Sequence, residues 1–156
     1  MANQVRKIVT TNRKARKNYQ IFDTYEAGIS LKGDEVKSLR NLNCSIEESF
    51  VRIESREAII YNMHIPEFSK SSYFRSNPRR PRKLLLHNKE ISRLWGFTSQ
   101  KGYTLIPLKV YFNDRGFVKI EIASARGRHL YDKRQKIKEE YQKREAQRRM
   151  KKYWRR

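Results

Sequence analysis

The feature that most constrains the fold is an alternation of apolar and polar residues between positions 19 and 31. Odd positions in this stretch are apolar or aromatic, apart from Asp23, whereas even positions include Gln20, Thr24, Glu26 and Ser30. A period of two places successive side chains on opposite faces of a β-strand. The sequence therefore predicts a long strand that is buried on one face.

Two further pairs of stretches have strand patterns. Residues 50–54 and 58–65 flank a short polar turn, which predicts a hairpin. Residues 104–112 and 118–122 flank a turn at 113–116, and Pro107 predicts an edge or bulged position because proline donates no hydrogen bond to a ladder. The residues expected to face the core are Ile59, Tyr61, Met63 and Ile65 in the first pair, and Thr104, Ile106, Leu108, Val110, Phe112, Val118, Ile120 and Ile122 in the second.

Two stretches have the spacing of short helices. Residues 33–42 follow this spacing with Asp34 as the expected N-cap, and a second helix is expected with Asn88 as its cap and Gly102 as its stop. Short strands with two or three short helices predict a mainly β fold, an OB-fold-like antiparallel β-barrel of the oligonucleotide-binding type. The apolar helix faces would consist of Val36 and Leu39 in the first helix, and Ile91, Leu94 and Trp95 in the second.

Positive charge is concentrated in three segments. The chain carries a net charge of +21, with six basic residues and no acid in 1–18, seven and none in 68–89, and fourteen with four acids in 126–156. A nearly neutral body with three basic segments predicts a polyanionic partner, either nucleic acid or an anionic membrane surface. Aromatic residues interleave with the charges and suit stacking on bases, which favours RNA over lipid.

The same charge pattern divides the chain. We expect a basic N-terminal arm at 1–18, an RNA-binding barrel at 19–125 and a basic C-terminal tail at 126–156. The tail has favourable i to i+4 ion pairs but no apolar stripe to hold it against the body. It is therefore expected to be disordered or frayed alone and helical when it docks on RNA.

Several other classes of function find little support in the sequence. No apolar run reaches the roughly 18 residues of a membrane span, and no secretory signal is recognisable, so a cytoplasmic protein that does not bind membranes is expected. The single cysteine, Cys44, is expected to be a small packing residue, and no zinc spacing or nucleophile motif is present. Glu26, Asp34 and Glu35 leave open a metal-binding carboxylate cluster of the nuclease type.

Six blocks in a fixed order resemble the small protein B family, the tmRNA-binding proteins of trans-translation. The resemblance extends from about residue 8 to residue 140. The blocks are NRKARKNY at 12–19, YEAGI at 25–29, GDEVKSLR at 33–40, RPRKLLLH at 80–87, KGYTLIPLKVYF at 101–112 and ARGRHLYDKR at 125–134.

The resemblance implies a non-enzymatic role without a cofactor. The barrel would bind the tRNA-like domain of tmRNA, and the protein would reach stalled ribosomes as a monomer together with elongation factor Tu and aminoacylated tmRNA. The tail would enter the decoding centre of the small subunit and sense the empty mRNA channel. A ribosomal protein or assembly factor with the same barrel is the alternative.

The resemblance also implies two sets of site residues, and physical chemistry leaves some roles open. Glu26 would accept hydrogen bonds from base amino groups or ribose hydroxyls, or orient an arginine, or be an ordinary strand residue. At least one leucine of 84–86 should stay exposed, and His87 is either a cap or an RNA contact. Asp132 would cap the tail helix, or bind at the decoding centre, or both. The RNA-binding set is Asn12, Arg13, Lys14, Arg16, Tyr19, Glu26, Lys37, Lys83, Leu85, His87 and Lys119, and the ribosomal set is Gly127, Arg128, Tyr131, Asp132, Lys133, Arg134, Ile137 and Tyr141.

Overall fold

The computed structural model describes residues 7–69, 76–128 and 130–154, and the side chains of residues 130–133 lie outside this description. These residues form a mainly β structure with seven strands and four helices. In chain order they are β1 (Lys7–Thr11), α1 (Ala15–Asn18), β2 (Tyr19–Ile29), α2 (Gly33–Arg40), β3 (Phe50–Glu54), β4 (Glu57–Tyr61), β5 (Arg82–Leu85), α3 (Asn88–Thr98), β6 (Tyr103–Phe112), β7 (Val118–Gly127) and α4 (Leu130–Trp154).

The strands form one antiparallel sheet that closes on itself. Neighbouring strands follow the order β1-β6-β3-β4-β5-β2-β7, and β7 also pairs with β6. The β6–β7 pairing closes a ring of six strands, while β1 and β3 pair with different halves of β6. Closure satisfies the backbone groups that an open sheet would leave at its edges. The predicted OB-like barrel is confirmed.

Aliphatic side chains fill the barrel, and α2 and α3 each contribute a fully buried leucine. Cys44 packs against this core, and burial raises the pKa of its thiol to about 12. The position of Cys44 therefore agrees with the prediction that it is a small packing residue. The interior includes Ala27, Leu39, Val51, Ala58, Ile60, Met63, Leu84, Leu94, Leu105, Val110, Ile120 and Ile122.

The inward face predicted for β6 is wrong along half of its length. The pairing of β6 with β7 shifts between Pro107 and Lys109, which confirms the bulge that proline predicted. Because an extra residue reverses the alternation, Leu105 rather than Thr104 faces the interior before the bulge. Ile106 and Leu108 instead pack on the outside of the sheet, in a second cluster with Ala15, Ala123 and Ala125.

A similar reversal occurs after β4. Ala58 and Ile60 are buried where Ile59 and Tyr61 were expected to face the core. Asn62 has a φ of +59°, a left-handed conformation that turns the chain out of its regular path. Beyond Asn62 the buried positions are Met63 and Ile65, as predicted.

The N-caps of the two helices lie before the expected ones, by two residues in α2 and by one residue in α3. Lys32 precedes α2, and its backbone N–H donates to the Glu35 carboxylate at 3.0 Å, so Asp34 lies in the first turn. His87 precedes α3, and its N–H donates to Glu90 at 3.0 Å. Each helix thus has the reach-back half of a capping box. In α3 Leu94 is buried, as predicted. Trp95 was expected on the same apolar face, but it is 61% exposed and does not contribute to the core.

The ends of the chain are organised around the barrel. Residues 7–18, within the predicted arm, contribute β1 to the sheet and place α1 on its outside. Residues 130–154 of the tail form the helix α4, whose side chains from residue 134 onward are almost all exposed. Among the described residues, no helix is both long and apolar enough to cross a membrane.

Candidate nucleic-acid interface

Three neighbouring strands present one continuous surface outside the barrel. Gly28 in β2 lies opposite Leu85 in β5 on one side and opposite Lys119 in β7 on the other. Because side chains alternate along a strand, Glu26 shares this face with Gly28, and Lys83 shares it with Leu85. We call this surface the outer face. It brings together four residues that were predicted from dispersed parts of the sequence to bind RNA.

Gly28 lets Leu85 lie close against the sheet. A Cβ atom at position 28 would be 3.2 Å from the Leu85 Cβ, which is tighter than ordinary contact. Leu85 itself is 56% exposed, so the expectation that one leucine of the run stays accessible is confirmed. Leu85 and the exposed Phe117 flank a shallow pocket of about 270 Å³ that Lys119 also lines. An apolar surface beside an ammonium group suits a ribose or base next to its phosphate.

Glu26 is held in place by a tyrosine rather than by an arginine. The hydroxyl of the buried Tyr111 donates a hydrogen bond to the Glu26 carboxylate, while the side chain of Glu26 is exposed to solvent. Opposite Glu26 in β7 is Glu121, which forms a 3.0 Å ion pair with Lys109. The oriented carboxylate can accept hydrogen bonds from amino or hydroxyl groups of a ligand but would repel a phosphate.

Asn12 acts inside the fold. It is buried, its amide donates to the carbonyl of Pro107 at 3.2 Å, and its side-chain oxygen accepts from the N–H of Ala15 at 3.1 Å. These bonds fix the start of α1 against the bulge in β6. The side chain of Asn12 therefore positions the basic helix that follows, and its contact with RNA stays a prediction.

The helix α1 carries exposed cations over the outside of the sheet. Its Ala15 packs against the second cluster, while Arg16 in the helix and Arg13 just before it stay exposed. Lys14 instead forms a 3.0 Å ion pair with Glu47, a hydrogen bond that raises the pKa of Lys14. Since Ala123 and Ala125 alternate with the inward residues of β7, α1 lies on the same side of the sheet as Lys119. Tyr19, also predicted to bind RNA, is half-buried against this cluster.

Three other predicted RNA-binding residues have partners of their own or a second role. Lys83 forms a 2.7 Å ion pair with Glu57, and both side chains are about half exposed. Such a pair contributes little to stability and can be exchanged for a phosphate. Lys37 lies 5.7 Å from the centre of the Phe68 ring. His87 is exposed at the N-cap of α3, so its backbone caps the helix while its ring remains accessible.

Two arginines of the middle basic segment are directed into the protein. Arg82 is 1% exposed and donates to Glu35 at 2.9 Å and to the carbonyl of Met63 at 2.7 Å. Arg80 donates to both Glu35 oxygens, at 2.8 and 2.7 Å. The basic segment 68–89 therefore contributes two of its arginines to a structural ion cluster. Arg82 could have been recognised from the sequence, since it shares its parity in β5 with the buried Leu84.

This ion cluster also removes Glu35 from the carboxylate site considered for a nuclease. Burial by itself raises the pKa of Glu35, but the hydrogen bonds from Arg80 and Arg82 outweigh it, and the pKa lies below its ordinary value. Glu26 bonds to Tyr111 on the outer face. Within the described part of the chain, no three His, Cys, Asp or Glu side chains are grouped as metal ligands.

The tail leaves the barrel beside α1. Gly127 lies opposite Tyr19 at the end of β7, and the N–H of Arg128 donates to the carbonyl of Asn18 at 3.0 Å. Further along α4, Arg134, Ile137 and Tyr141 are exposed, the last two by 67% and 62%. The side chains of Tyr131, Asp132 and Lys133, predicted for the decoding centre, lie outside the described residues.

A closed antiparallel barrel with a basic helix on its sheet defines a small protein of the class that binds nucleic acid. The chain belongs to the family described as SmpB protein, whose model matches residues 9–152. The SsrA-binding protein of Moorella thermoacetica is 54% identical over 137 residues, covering 88% of each chain. That of Coprothermobacter proteolyticus is 51% identical over 143 residues, covering 91% of this chain and 95% of the relative.

A solved structure supports the same relationship. A chain described under "tmRNA-SmpB: a journey to the center of the bacterial ribosome" is 50% identical and superposes with a TM-score of 0.66. The match covers 78% of this chain and 85% of the other. The family resemblance read from the six sequence blocks is therefore confirmed.

Proposed function

We propose that this protein binds tmRNA through the outer face and α1, and delivers it to stalled ribosomes in trans-translation. The observation that carries the proposal is the outer face, where an exposed leucine, an oriented glutamate and a lysine from separate strands adjoin within a family of SsrA-binding proteins. On this proposal the tRNA-like domain of tmRNA lies across the sheet. Arg13 and Arg16 neutralise its phosphates, and Leu85 backs a sugar or base.

The tail has a separate part in the proposal. Its helix is exposed and strongly basic, and it begins next to α1. We place Gly127, Arg128, Tyr131, Asp132, Lys133 and Arg134 at the decoding centre of the small ribosomal subunit, with Ile137 and Tyr141 as apolar anchors in the empty mRNA channel. The tail would lie there as a helix and report that no mRNA is present.

The remaining partners follow from this role. The protein acts in the cytoplasm as a monomer, is delivered with elongation factor Tu and aminoacylated tmRNA, and catalyses no reaction of its own. It uses neither a cofactor nor a membrane. The ion pairs of Glu35 with Arg80 and Arg82 support the non-enzymatic role, since a carboxylate bound by two arginines is a poor metal ligand.

A titration of purified protein against tmRNA, with an unrelated structured RNA of equal length as the control, tests the proposal. At low salt both RNAs will bind because the chain carries a charge of +21. At near-physiological salt we expect a preference of about a hundredfold or more for tmRNA. Equal affinities would favour the alternative of a ribosomal or assembly protein that binds through charge alone.

A further inference from the structure

A groove with an exposed tryptophan lies between the β3–β4 turn and α3. Its volume is about 960 Å³, and Ile53 and Ile91 form its apolar floor with Trp95 as a wall. Trp95 is 61% exposed, although an indole ring would bury much apolar area if it packed. We call this feature the stacking groove, because an exposed indole beside apolar side chains can stack on the flat face of a nucleic-acid base.

The face of α3 that lines the groove does not take part in core packing. Asn88, Ile91, Ser92 and Trp95 recur at the three- and four-residue spacing that puts side chains on one side of a helix. Leu94 is about a quarter of a turn around the helix from Trp95, and it is buried in the core of the barrel. Leu94 anchors α3 in the core, and the ring of Trp95 on the same helix remains accessible to a ligand.

The opposite wall contains an arginine in an unfavourable backbone conformation. Ser55 and Arg56 form the two-residue turn of the hairpin with φ values of +46° and +62°. Turns of this kind favour Asn and Gly, because other residues are strained at positive φ. Arg56 nevertheless occupies the turn and lines the groove. Its guanidinium can bind a phosphate or stack on a base.

The charge around the groove suits RNA. Lys89 and Arg93 are exposed on the flank of α3 next to the lining residues. The nearby Glu54 and Glu57 are on the opposite face of the hairpin from Ile53, where Glu54 accepts from the Tyr61 hydroxyl and Glu57 pairs with Lys83. No carboxylate lines the described groove. Arg56 is the charged residue that lines the described groove, and its positive charge would attract a polynucleotide.

The groove begins close to the outer face, where β5 leads into α3. Asn88 follows Leu85 by three residues, which span at most about 10 Å, and the exposed His87 lies between them. We infer that the stacking groove binds an unpaired base of the RNA that lies on the outer face, with Trp95 stacking on the base and Arg56 holding its phosphate. This inference rests on the proposed function, and it extends the RNA site across the barrel to α3.

Tryptophan fluorescence and affinity together test the inference. The chain has two tryptophans, so Trp154→Phe in the full-length protein leaves Trp95 as the single reporter. Addition of tmRNA at near-physiological salt should quench its emission. Trp95→Ala should weaken tmRNA binding on the order of tenfold with an unchanged salt slope, whereas Trp95→Phe should retain most of the affinity. Arg56→Ala should lower the salt slope by about one.

The two proposals fail in different ways. Unquenched Trp95 emission, together with full affinity of Trp95→Ala for tmRNA, would overturn the groove as a base site, while a retained preference for tmRNA would keep the proposed function. Quenching by tmRNA and by the unrelated RNA alike, without any preference, would support the groove and contradict the proposed function. Because Trp95 is exposed, Trp95→Ala should unfold at the same urea concentration as the parent, which serves as the control for folding.

Discussion

At the scale of single residues, Glu35 is the side chain on which the fold depends most. It is 4% exposed and binds Arg80 and Arg82, so its removal leaves the buried Arg82 charge without its partner. We expect Glu35→Gln to lower the free energy of unfolding by about 3–5 kcal/mol in urea titrations. Glu48→Gln, which disrupts the exposed pair with Arg79, should leave stability unchanged and is the matched control.

The loss of unfolding free energy in Glu35→Gln should depend on pH, and the pKa of Glu35 gives the direction of this dependence. The pKa of Glu35 is lowered in the folded protein, because the arginine hydrogen bonds outweigh the opposing effect of burial. Its contribution to stability is therefore complete above the ordinary glutamate pKa and is lost as the pH falls through the lowered value. The difference in the free energy of unfolding between the parent protein and Glu35→Gln should therefore decrease in acid. A difference that stays constant would show that the charge of Glu35 is not what stabilises the cluster.

At the scale of elements, α1 is a short basic helix that Asn12 fixes on the sheet. Arg13→Ala combined with Arg16→Ala should weaken tmRNA binding and reduce the slope of log affinity against log salt by about two, since each phosphate contact contributes about one. Arg148→Ala with Arg149→Ala removes the same charge from α4 and should leave the slope unchanged. Equal effects of the two double variants would mean that total charge, and not α1, governs binding.

Removal of the helix α4 should affect the ribosomal step and not the binding of tmRNA. It packs little against the barrel, so truncation before Asp132 should not disturb the outer face. The truncated protein should keep nearly the full affinity for tmRNA in the same titration but should fail to support tagging on stalled ribosomes in a reconstituted translation assay. A large loss of affinity for tmRNA would instead make the tail part of the tmRNA site.

At the scale of the whole molecule, the sequence predicted the barrel because most strands follow a period of two. It failed where one residue reverses that period, at Asn62 and between Pro107 and Lys109, because the alternation alone does not reveal an extra residue. It also placed Arg80 and Arg82 in a basic segment expected to face a polyanion, because charge in a sequence does not show that Glu35 is their partner in the fold. The outer face was predicted through family resemblance, because its residues come from three strands far apart in the chain.

On the proposed function, the outer face and α1 bind tmRNA while the tail remains available for the ribosome. Mass-spectrometric footprinting of lysine acetylation on the full-length protein, with and without saturating tmRNA, measures both regions at once. Lys17, Lys83 and Lys119 should lose reactivity in the complex, whereas Lys143 and Lys151, exposed on α4, should react as in the free protein. Protection of the tail lysines with full reactivity at Lys83 and Lys119 would contradict this account.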